Sequence, residues 1–298
     1  MSGPLLVVDA PFLLYRSFFA LPESIKGTDG TPVNALLGSV NNLLRVAAEV
    51  EPRTVVICFG AEEAPYRVEL FSGYHAQREA MPENLSRQFE AAPALYEAFG
   101  WSVDSSTELE ADDLLGAYAR AEYAAGGEAL LLTGDRDMYQ CVSDSVRVLY
   151  LKQGAAGFEA LDPAAVQERY GVRPDQVPDF IALRGDPSDG LPGAPGIGEK
   201  TAAKLLTRHG TLEQLLQAVG TTKDPLEDHG ERPKLAATLR EHAELLRAFR
   251  QIASLQPLTV TPPPDRPTDL EGGAAQAAAL GMGKLAGRLE RAGSLADL

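Results

Sequence analysis

Residues 129–137 read Ala-Leu-Leu-Leu-Thr-Gly-Asp-Arg-Asp, a short apolar run that ends in two aspartates, Asp135 and Asp137. A short apolar run bounded by turn residues predicts a buried strand. Runs of the same kind lie at residues 5–8, 54–59 and 146–151. Segments with the apolar spacing of helices lie between them, at residues 33–50, 84–99 and 111–125. This alternation predicts an α/β protein with a mostly parallel central sheet and helices on both faces.

The pattern changes after about residue 160, where clear strand runs stop. Helical patterns follow at residues 202–208, 212–219 and 233–254. Residues 259–273 are rich in proline, which predicts an extended linker. We therefore expect an α/β core over residues 1–160, a helical region over residues 161–258, and a linker with a weakly attached C-terminal helix over residues 259–298.

Composition narrows the class of protein before any motif is considered. The 298 residues are 45% hydrophobic and 23% charged, which is typical of a globular chain. The sequence shows neither a membrane span nor a signal peptide, and its two cysteines suit a reducing compartment. We expect a monomeric cytoplasmic protein that binds no membrane, with Cys58 in the core. The net charge of -15 argues against nucleic acid as a partner unless some of the acids are grouped.

Acidic residues fall where a parallel sheet forms its ligand crevice. Asp9 follows the first strand and Asp135 and Asp137 follow the third, so all three lie at the carboxyl ends of strands. Other acids occur at a predicted helix start and in a loop: Glu110, Asp112, Asp113, Asp186 and Asp189. Carboxylates brought together in a crevice need a counter-charge, because their repulsion would otherwise leave several protonated. Oxygen-only ligands favour Mg²⁺ or Mn²⁺ over zinc.

Each acid also has a purely structural interpretation. Thr107 to Glu110 fits a capping box, so Glu110 could simply cap a helix. Asp186-Pro187 and Asp189-Gly190 are common turn pairs. Taken singly these explanations are stronger, but the shared placement of the acids at the crevice favours a functional site.

The glycine-rich segment at residues 190–200 is not a P-loop, because Glu199 stands where the lysine would have to follow Gly198. It predicts a hairpin between two helices in which Gly196 and Gly198 let backbone N–H groups approach a phosphate. Lys200 and Lys204, one helical turn apart, would lie beside it and contact DNA without reading its sequence. The alternative is a plain tight turn between helices.

Several motifs together resemble the bacterial 5′ nuclease family, which includes the 5′-3′ exonuclease domain of DNA polymerase I and the flap endonucleases. They cover residues 9 to about 254 and include Val-Asp-Ala with Arg16 downstream, Tyr66-Arg67, and Tyr74-His75-Ala-Gln-Arg78. The remaining motifs are Glu110-Ala-Asp-Asp, Thr133-Gly-Asp-Arg-Asp, and residues 183–200. No polymerase sequence follows, so we expect a stand-alone member. The resemblance implies a PIN-like nuclease core, a helix-hairpin-helix motif, and an arch over the 5′ strand at residues 66–90.

The resemblance also implies roles for individual residues. Asp9, Glu110 and Asp112 would bind one divalent ion, and Asp135, Asp137 and Asp186 a second. Asp113 and Asp189 would lie outside the direct ligands and would hold metal-bound waters or basic neighbours. Arg78, with Arg67 or Arg16, would clamp a phosphate, Tyr74 and His75 would contact DNA, and K⁺ could bind at the hairpin. The substrates would be 5′ flaps, nicks or recessed ends in replication and repair, with a polymerase or ligase as possible partner.

Two residues depart from the family pattern. Gly60 stands where the family has an aspartate after the second strand, and His75 replaces a lysine. The loss at Gly60 motivates a rival hypothesis, a DNA-junction binding protein with weakened catalysis. A phosphatase of the haloacid dehalogenase type is a poorer match, since it needs an aspartate where Pro11 stands.

Overall fold

The computed structural model describes residues 3–152, 157–220 and 233–298. Within them six strands form a sheet of order β3-β2-β1-β4-β5-β6, in which neighbours are parallel except for β5 and β6. The strands are β1 Leu5–Asp9, β2 Thr54–Phe59, β3 Ser102–Ser105, β4 Ala129–Leu132, β5 Val146–Leu151 and β6 Phe158–Leu161. The predicted fold class is confirmed.

Helices flank this sheet and fill the second half of the described chain. Those within the α/β part are α1 Ala10–Ala20, α2 Asn34–Val50, α3 Pro65–Leu70, α4 Glu83–Ala98, α5 Ala111–Ala124 and α6 Pro163–Tyr170. Those that follow are α7 Val177–Arg184, α8 Glu199–His209, α9 Leu212–Gly220, α10 Pro233–Glu241, α11 Ala243–Ala253, α12 Leu270–Ala279 and α13 Gly283–Arg291. No helix in the described residues is long and apolar enough to cross a membrane.

Two apolar cores lie on opposite faces of the sheet. Alternate residues of β1 point to each, so Leu6 and Val8 pack with α1, α2 and α4, whereas Leu5 and Val7 pack with α5. The second core continues into α7, α8, α9 and α11 through residues such as Phe180. Because the helical region shares this core, it packs directly against the α/β part.

The four predicted strands are confirmed, and two edge strands were missed. β3 (Ser-Val-Asp-Ser) and β6 (Phe-Glu-Ala-Leu) are four residues each and only partly buried, so neither has the continuous apolar run of an inner strand. The helix expected over residues 233–254 is interrupted at His242, which caps α11.

The expectation of a weakly attached C-terminal helix is wrong. The end of the chain forms two helices, and Ala277 and Leu289 are among the residues they bury in the core beside α4. The proline-rich segment before them is tied to the sheet by Arg53, whose guanidinium donates to the Pro263 carbonyl at 3.0 Å and to Asp265 at 2.8 Å. The expected boundaries at residues 160 and 258 stay predictions.

Candidate metal and nucleic-acid site

A cavity of about 850 Å³ opens at the carboxyl edge of the sheet, between the α/β part and the loop that follows α7. Seven of the eight predicted carboxylates line it, and they are Asp9, Glu110, Asp112, Asp135, Asp137, Asp186 and Asp189. Phe12, Tyr15, Met81 and Phe89 also contribute to the lining. The structure therefore brings the acids together as predicted, with Asp113 just outside.

Asp9 and Asp135 are joined through the Thr133 hydroxyl. Thr133 donates to Asp9 Oδ2 at 2.7 Å and accepts from the amide of Asp135 at 3.0 Å. The other Asp9 oxygen accepts the amide of Phe12 at 2.9 Å, at the start of α1. The amide of Asp137 in turn donates to Asp135 Oδ1 at 2.7 Å. Backbone and hydroxyl donors thus fix these carboxylates without neutralising them.

Glu110 and Asp113 have a buried counter-charge in Arg67. The guanidinium contacts Glu110 Oε2 at 2.5 Å and Asp113 Oδ1 at 3.2 Å, and its Nε donates to the carbonyl of Ile252. Tyr74 donates its hydroxyl to Glu110 at 3.0 Å. Glu110 is the residue before α5 and forms a capping box with Asp113, which accepts the Glu110 amide at 3.3 Å; Glu110 therefore does cap a helix, with Asp113 as its partner in place of Thr107.

The acids without such a partner have raised pKa values. Burial, reinforced by the charges of Asp135 and Asp9, raises the pKa of Asp112 well above its usual range. Burial and then the Asp189 charge raise the pKa of Asp135 to about 7. The pKa of Asp137 is also well above its usual range, through burial and then the Asp135 charge. These carboxylates repel one another and resist ionising without an added cation.

Asp186 and Asp189 are held in the loop after α7. Arg184 donates to Asp186 Oδ2 at 3.0 Å, and the other Asp186 oxygen accepts the Ser188 amide at 2.9 Å together with the Ser188 hydroxyl. The Asp189 carbonyl accepts the amide of His75 at 3.0 Å, which links this loop to the turn before α4. The loop therefore adds two carboxylates to the lining of the cavity.

The structure places the residues predicted to contact DNA in different surroundings, and their contacts with DNA stay predictions. Arg67 and Tyr74 line the cavity but are only 4% exposed, and both contact Glu110. Arg16 is not among the residues that line the cavity, and it donates to the Lys152 carbonyl at 2.5 Å. Arg78 is exposed and lines the cavity, held by the Glu62 carbonyl at 2.9 Å. Of the predicted arginines, Arg78 is exposed at the cavity, whereas Arg67 lines it as a buried side chain.

Gly60 lies where the chain passes against the start of α5. A β-carbon built on it would lie 2.7 Å from Glu110 Cα and closer still to the amide nitrogen of Ala111. The next residue, Ala61, donates its amide to Leu109 at 2.9 Å. Backbone therefore occupies the space that a side chain here would need, which is a physical reason for glycine at this position.

The predicted hairpin connects α7 to α8. Gly196 has a φ of +78°, a conformation that glycine reaches cheaply, and nothing lies within 4 Å of where its β-carbon would be. Gly198 immediately precedes α8, and Lys200 and Lys204 are both exposed on that helix. The hairpin is thus an accessible surface next to the acidic cavity, which Glu199 at the start of α8 helps to line.

The cavity suits a hard divalent ion by its donor chemistry. Its potential ligands are carboxylate oxygens, and the raised pKa values of Asp112, Asp135 and Asp137 are consistent with a site whose charge a cation would balance. No three acidic or histidine groups in the described part of the chain are already grouped tightly enough to hold one ion.

Sequence reasoning missed Thr133 and Arg184. Both lay beside predicted ligands in the sequence, Thr133 two residues before Asp135 and Arg184 two before Asp186. A hydroxyl or guanidinium two residues before a predicted ligand could have been identified as a candidate partner of that ligand. The aromatic part of the cavity, by contrast, depends on how α1 and α4 pack.

An acid-lined α/β core joined to a helical hairpin defines a nuclease of the metal-dependent type. Two family models match this chain. The 5′-3′ exonuclease N-terminal resolvase-like domain matches residues 4–171, and the 5′-3′ exonuclease C-terminal SAM fold matches residues 172–270. The chain belongs to the 5′-3′ exonuclease family, as the motifs predicted.

Individual relatives agree. A 5′-3′ exonuclease of Mycobacterium tuberculosis is 37% identical over 286 residues, covering 89% of both chains. DNA polymerase I of Mycobacterium bovis is 37% identical over 259 residues, 87% of this chain and 28% of the polymerase. A crystal structure of the bacteriophage T5 flap endonuclease with DNA and metal ions has a TM-score of 0.68 at 17% identity, covering 99% of this chain and 100% of that one. At that identity the likeness establishes the fold.

Proposed function

We propose that this 5′ nuclease hydrolyses the 5′ strand of DNA at flaps, nicks or recessed ends, using two divalent metal ions. The observation that carries the proposal is the cavity with seven carboxylates, of which Asp112, Asp135 and Asp137 have raised pKa values. A phosphodiester substrate brings more negative charge, so the cavity can accept it only together with cations. The T5 flap endonuclease complex, which contains DNA and metal ions, supports this proposal.

Two groups of residues would hold the metal ions. One consists of Asp9, Glu110 and Asp112, and the other of Asp135, Asp137 and Asp186. When bound, divalent ions supply an activated water and stabilise the leaving 3′ oxygen. Oxygen ligation favours Mg²⁺ or Mn²⁺. Arg67, Tyr74 and Thr133 orient Glu110 and Asp9, as partners of ligands commonly do.

Arg78 would receive the phosphate next to the cleaved bond. It is exposed at the rim of the cavity, and a guanidinium can donate two parallel hydrogen bonds to a phosphate. Asp189 would act from outside the metal ligands through the loop that it shares with Asp186. Asp113 would act through Arg67, which it contacts at 3.2 Å.

The hairpin would hold the duplex through contacts with the DNA backbone. It presents backbone N–H groups at Gly196 and Gly198 and positive charge at Lys200 and Lys204. This surface is exposed and locally basic, although the whole chain has a net charge of -15. Such contacts carry no sequence information, so recognition would depend on the bend available at a flap or nick. A K⁺ ion at the hairpin, a monomeric state and a cytoplasmic location stay predictions.

The similarity to DNA polymerase I supports a role in replication and repair, alongside a polymerase or ligase. The rival hypothesis of a junction-binding protein with weakened catalysis rests on Gly60. The close packing at Gly60 explains the missing acid without implying that the rest of the site has decayed.

Cleavage of an end-labelled 5′-flap duplex and a nicked duplex tests the function. Wild-type protein should release the labelled 5′ strand with Mg²⁺ or Mn²⁺ and lose activity with a chelator. Asp135→Asn should bind the flap without cleaving it. Asp144→Asn, at an exposed acid outside the cavity, is the matched control and should cleave normally. Binding without cleavage by wild-type protein in both metals would favour the rival hypothesis.

A further inference from the structure

His75 lies between Arg78 and Asp189 at the side of the cavity. Its Nδ1 is 3.3 Å from Nη1 of Arg78, and its Nε2 is 3.3 Å from Oδ1 of Asp189. The side chain is only 7% exposed, so both ring nitrogens depend on protein partners. The imidazole thus bridges the turn before α4 and the loop after α7.

The chemistry of the two partners determines where the ring proton must be. A guanidinium has only donors, so Nδ1 can bond to Arg78 only as an acceptor and carries no proton. The Asp189 carboxylate accepts, so Nε2 is the protonated nitrogen. Arg78 therefore donates to a neutral His75, which donates to Asp189. A doubly protonated ring would place an N–H against the guanidinium and lose that bond.

The backbone holds His75 in an unusual conformation. Its φ is +51°, in the left-handed region that residues other than glycine rarely adopt. Its amide donates to the Asp189 carbonyl at 3.0 Å, and its ring stacks on Tyr74 with centroids 4.0 Å apart. Residues kept in such conformations by their surroundings concentrate at functional sites. The ring therefore contacts Arg78, Asp189 and Tyr74, and these three contacts fix its orientation.

We propose that neutral His75 is a positioning residue that fixes the Arg78 guanidinium at the rim of the cavity. Without it, the exposed Arg78 side chain would keep one identified anchor among the described residues, the Glu62 carbonyl at 2.9 Å. The lysine of the family pattern has no acceptor and could not do this. The proposal deepens the proposed function, because it assumes that Arg78 contacts the phosphate.

The tautomer can be measured without any nuclease activity. We would record imidazole nitrogen shifts by NMR at about pH 8, where histidines are ordinarily neutral. The chain has four histidines, and His75→Asn identifies the signal of interest. We expect a neutral ring protonated on Nε2. A ring protonated on Nδ1, or on both nitrogens, would overturn the proposal even if the protein cleaves flaps.

Kinetics then tests the positioning role. His75→Gly and His75→Asn both tolerate the positive φ, and the asparagine carbonyl keeps an acceptor near Nδ1. On flap DNA we expect His75→Gly to lower kcat about tenfold or more, and His75→Asn to recover part of that loss. A thermal melt of each variant checks folding.

A double-mutant cycle completes the test. If His75 acts through Arg78, then His75→Gly with Arg78→Ala should lose no more activity than Arg78→Ala alone. Losses that multiply, or a wild-type kcat for His75→Gly, would overturn the positioning role. Failure of wild-type protein to cleave any flap would instead contradict the proposed function and leave the tautomer result standing.

Discussion

Two groups of acids in and beside the cavity differ in how their negative charge is balanced. Glu110 and Asp113 are buried beside Arg67, which contacts both. Asp112, Asp135 and Asp137 have no ion pair with a basic side chain in the described part of the chain, and their pKa values are raised. The first group carries its own counter-ion, whereas the second needs one from outside. We therefore expect bound divalent ions to change the protonation and stability of the second group more than those of the first.

The largest effect on cleavage should come from the second group, the acids without a basic partner. Asp135→Asn or Asp137→Asn should lower flap cleavage more than about a hundredfold, because an amide ligates a hard cation poorly. Asp135→Asn should also raise the Tm of the metal-free protein near pH 8, since Asp135, with a pKa of about 7, is mostly ionised there and the change removes a repelling charge. Asp113→Asn should lower the Tm instead. If Asp135→Asn and Asp113→Asn shift the Tm in the same direction, the two groups do not differ as described.

Removing the internal counter-ion should destabilise the other group. Arg67→Met leaves Glu110 and Asp113 buried without a cation, which typically costs about 3–5 kcal/mol. Denaturant unfolding measures this. Arg87→Met is the matched control, because its pair with Glu83 is exposed and should change stability by less than about 1 kcal/mol. Equal losses in the two variants would contradict a special role for Arg67.

Substitutions at Gly60 test the packing beside Glu110, one of the acids that Arg67 contacts. Gly60→Ala adds one β-carbon against the backbone of Glu110 and Ala111 and should cost roughly 1–3 kcal/mol or more. Gly60→Asp should be at least as unstable, so it should not lower the metal requirement as a simple restoration of a ligand would. Unfolding curves and a metal titration check both. A stable Gly60→Asp protein that needs less Mg²⁺ would show that the start of α5 moves readily.

The stability of the metal-free protein should depend on pH through the uncompensated acids. Folded Asp135 keeps its proton up to a pKa of about 7, while an unfolded aspartate ionises near ~4. Below ~4 both states are protonated. Between ~4 and ~7 the unfolded state loses its proton first, so stability falls as pH rises. The Tm of wild-type protein should fall across this window more steeply than that of Asp135→Asn, with Asp144→Asn as control. Parallel curves for all three would contradict the raised pKa.

The smallest effect should come from exposed cations outside the cavity. Lys200→Ala with Lys204→Ala should lower the slope of log affinity for duplex DNA against log salt by up to about two, at roughly 0.9 per lost phosphate contact. Binding curves at several salt concentrations measure it. Lys284→Ala, on the exposed side of α13, should leave the slope unchanged. An unchanged slope in the double variant would show that these lysines do not meet DNA.

Sequence was most informative where one strand or one motif decides the structure. The inner strands and the acids that follow them could be predicted, because each is a local pattern and parallel strands end at one edge. The roles of Arg67 and Tyr74 could not, since their burial depends on Ile252 and Glu110, which are distant in sequence. The close approach at Gly60 likewise involves two loops that only the folded sheet brings together.

Proton release on metal binding tests most directly whether one group of acids lacks a counter-ion. Mg²⁺ would be titrated calorimetrically into metal-free protein at about pH 7, in two buffers with different ionisation heats. Because folded Asp135 is about half protonated there, binding should release at least about half a proton per protein, and the two heats should differ accordingly. Asp135→Asn should release fewer protons. Mg²⁺ binding with identical heats in both buffers would contradict the account.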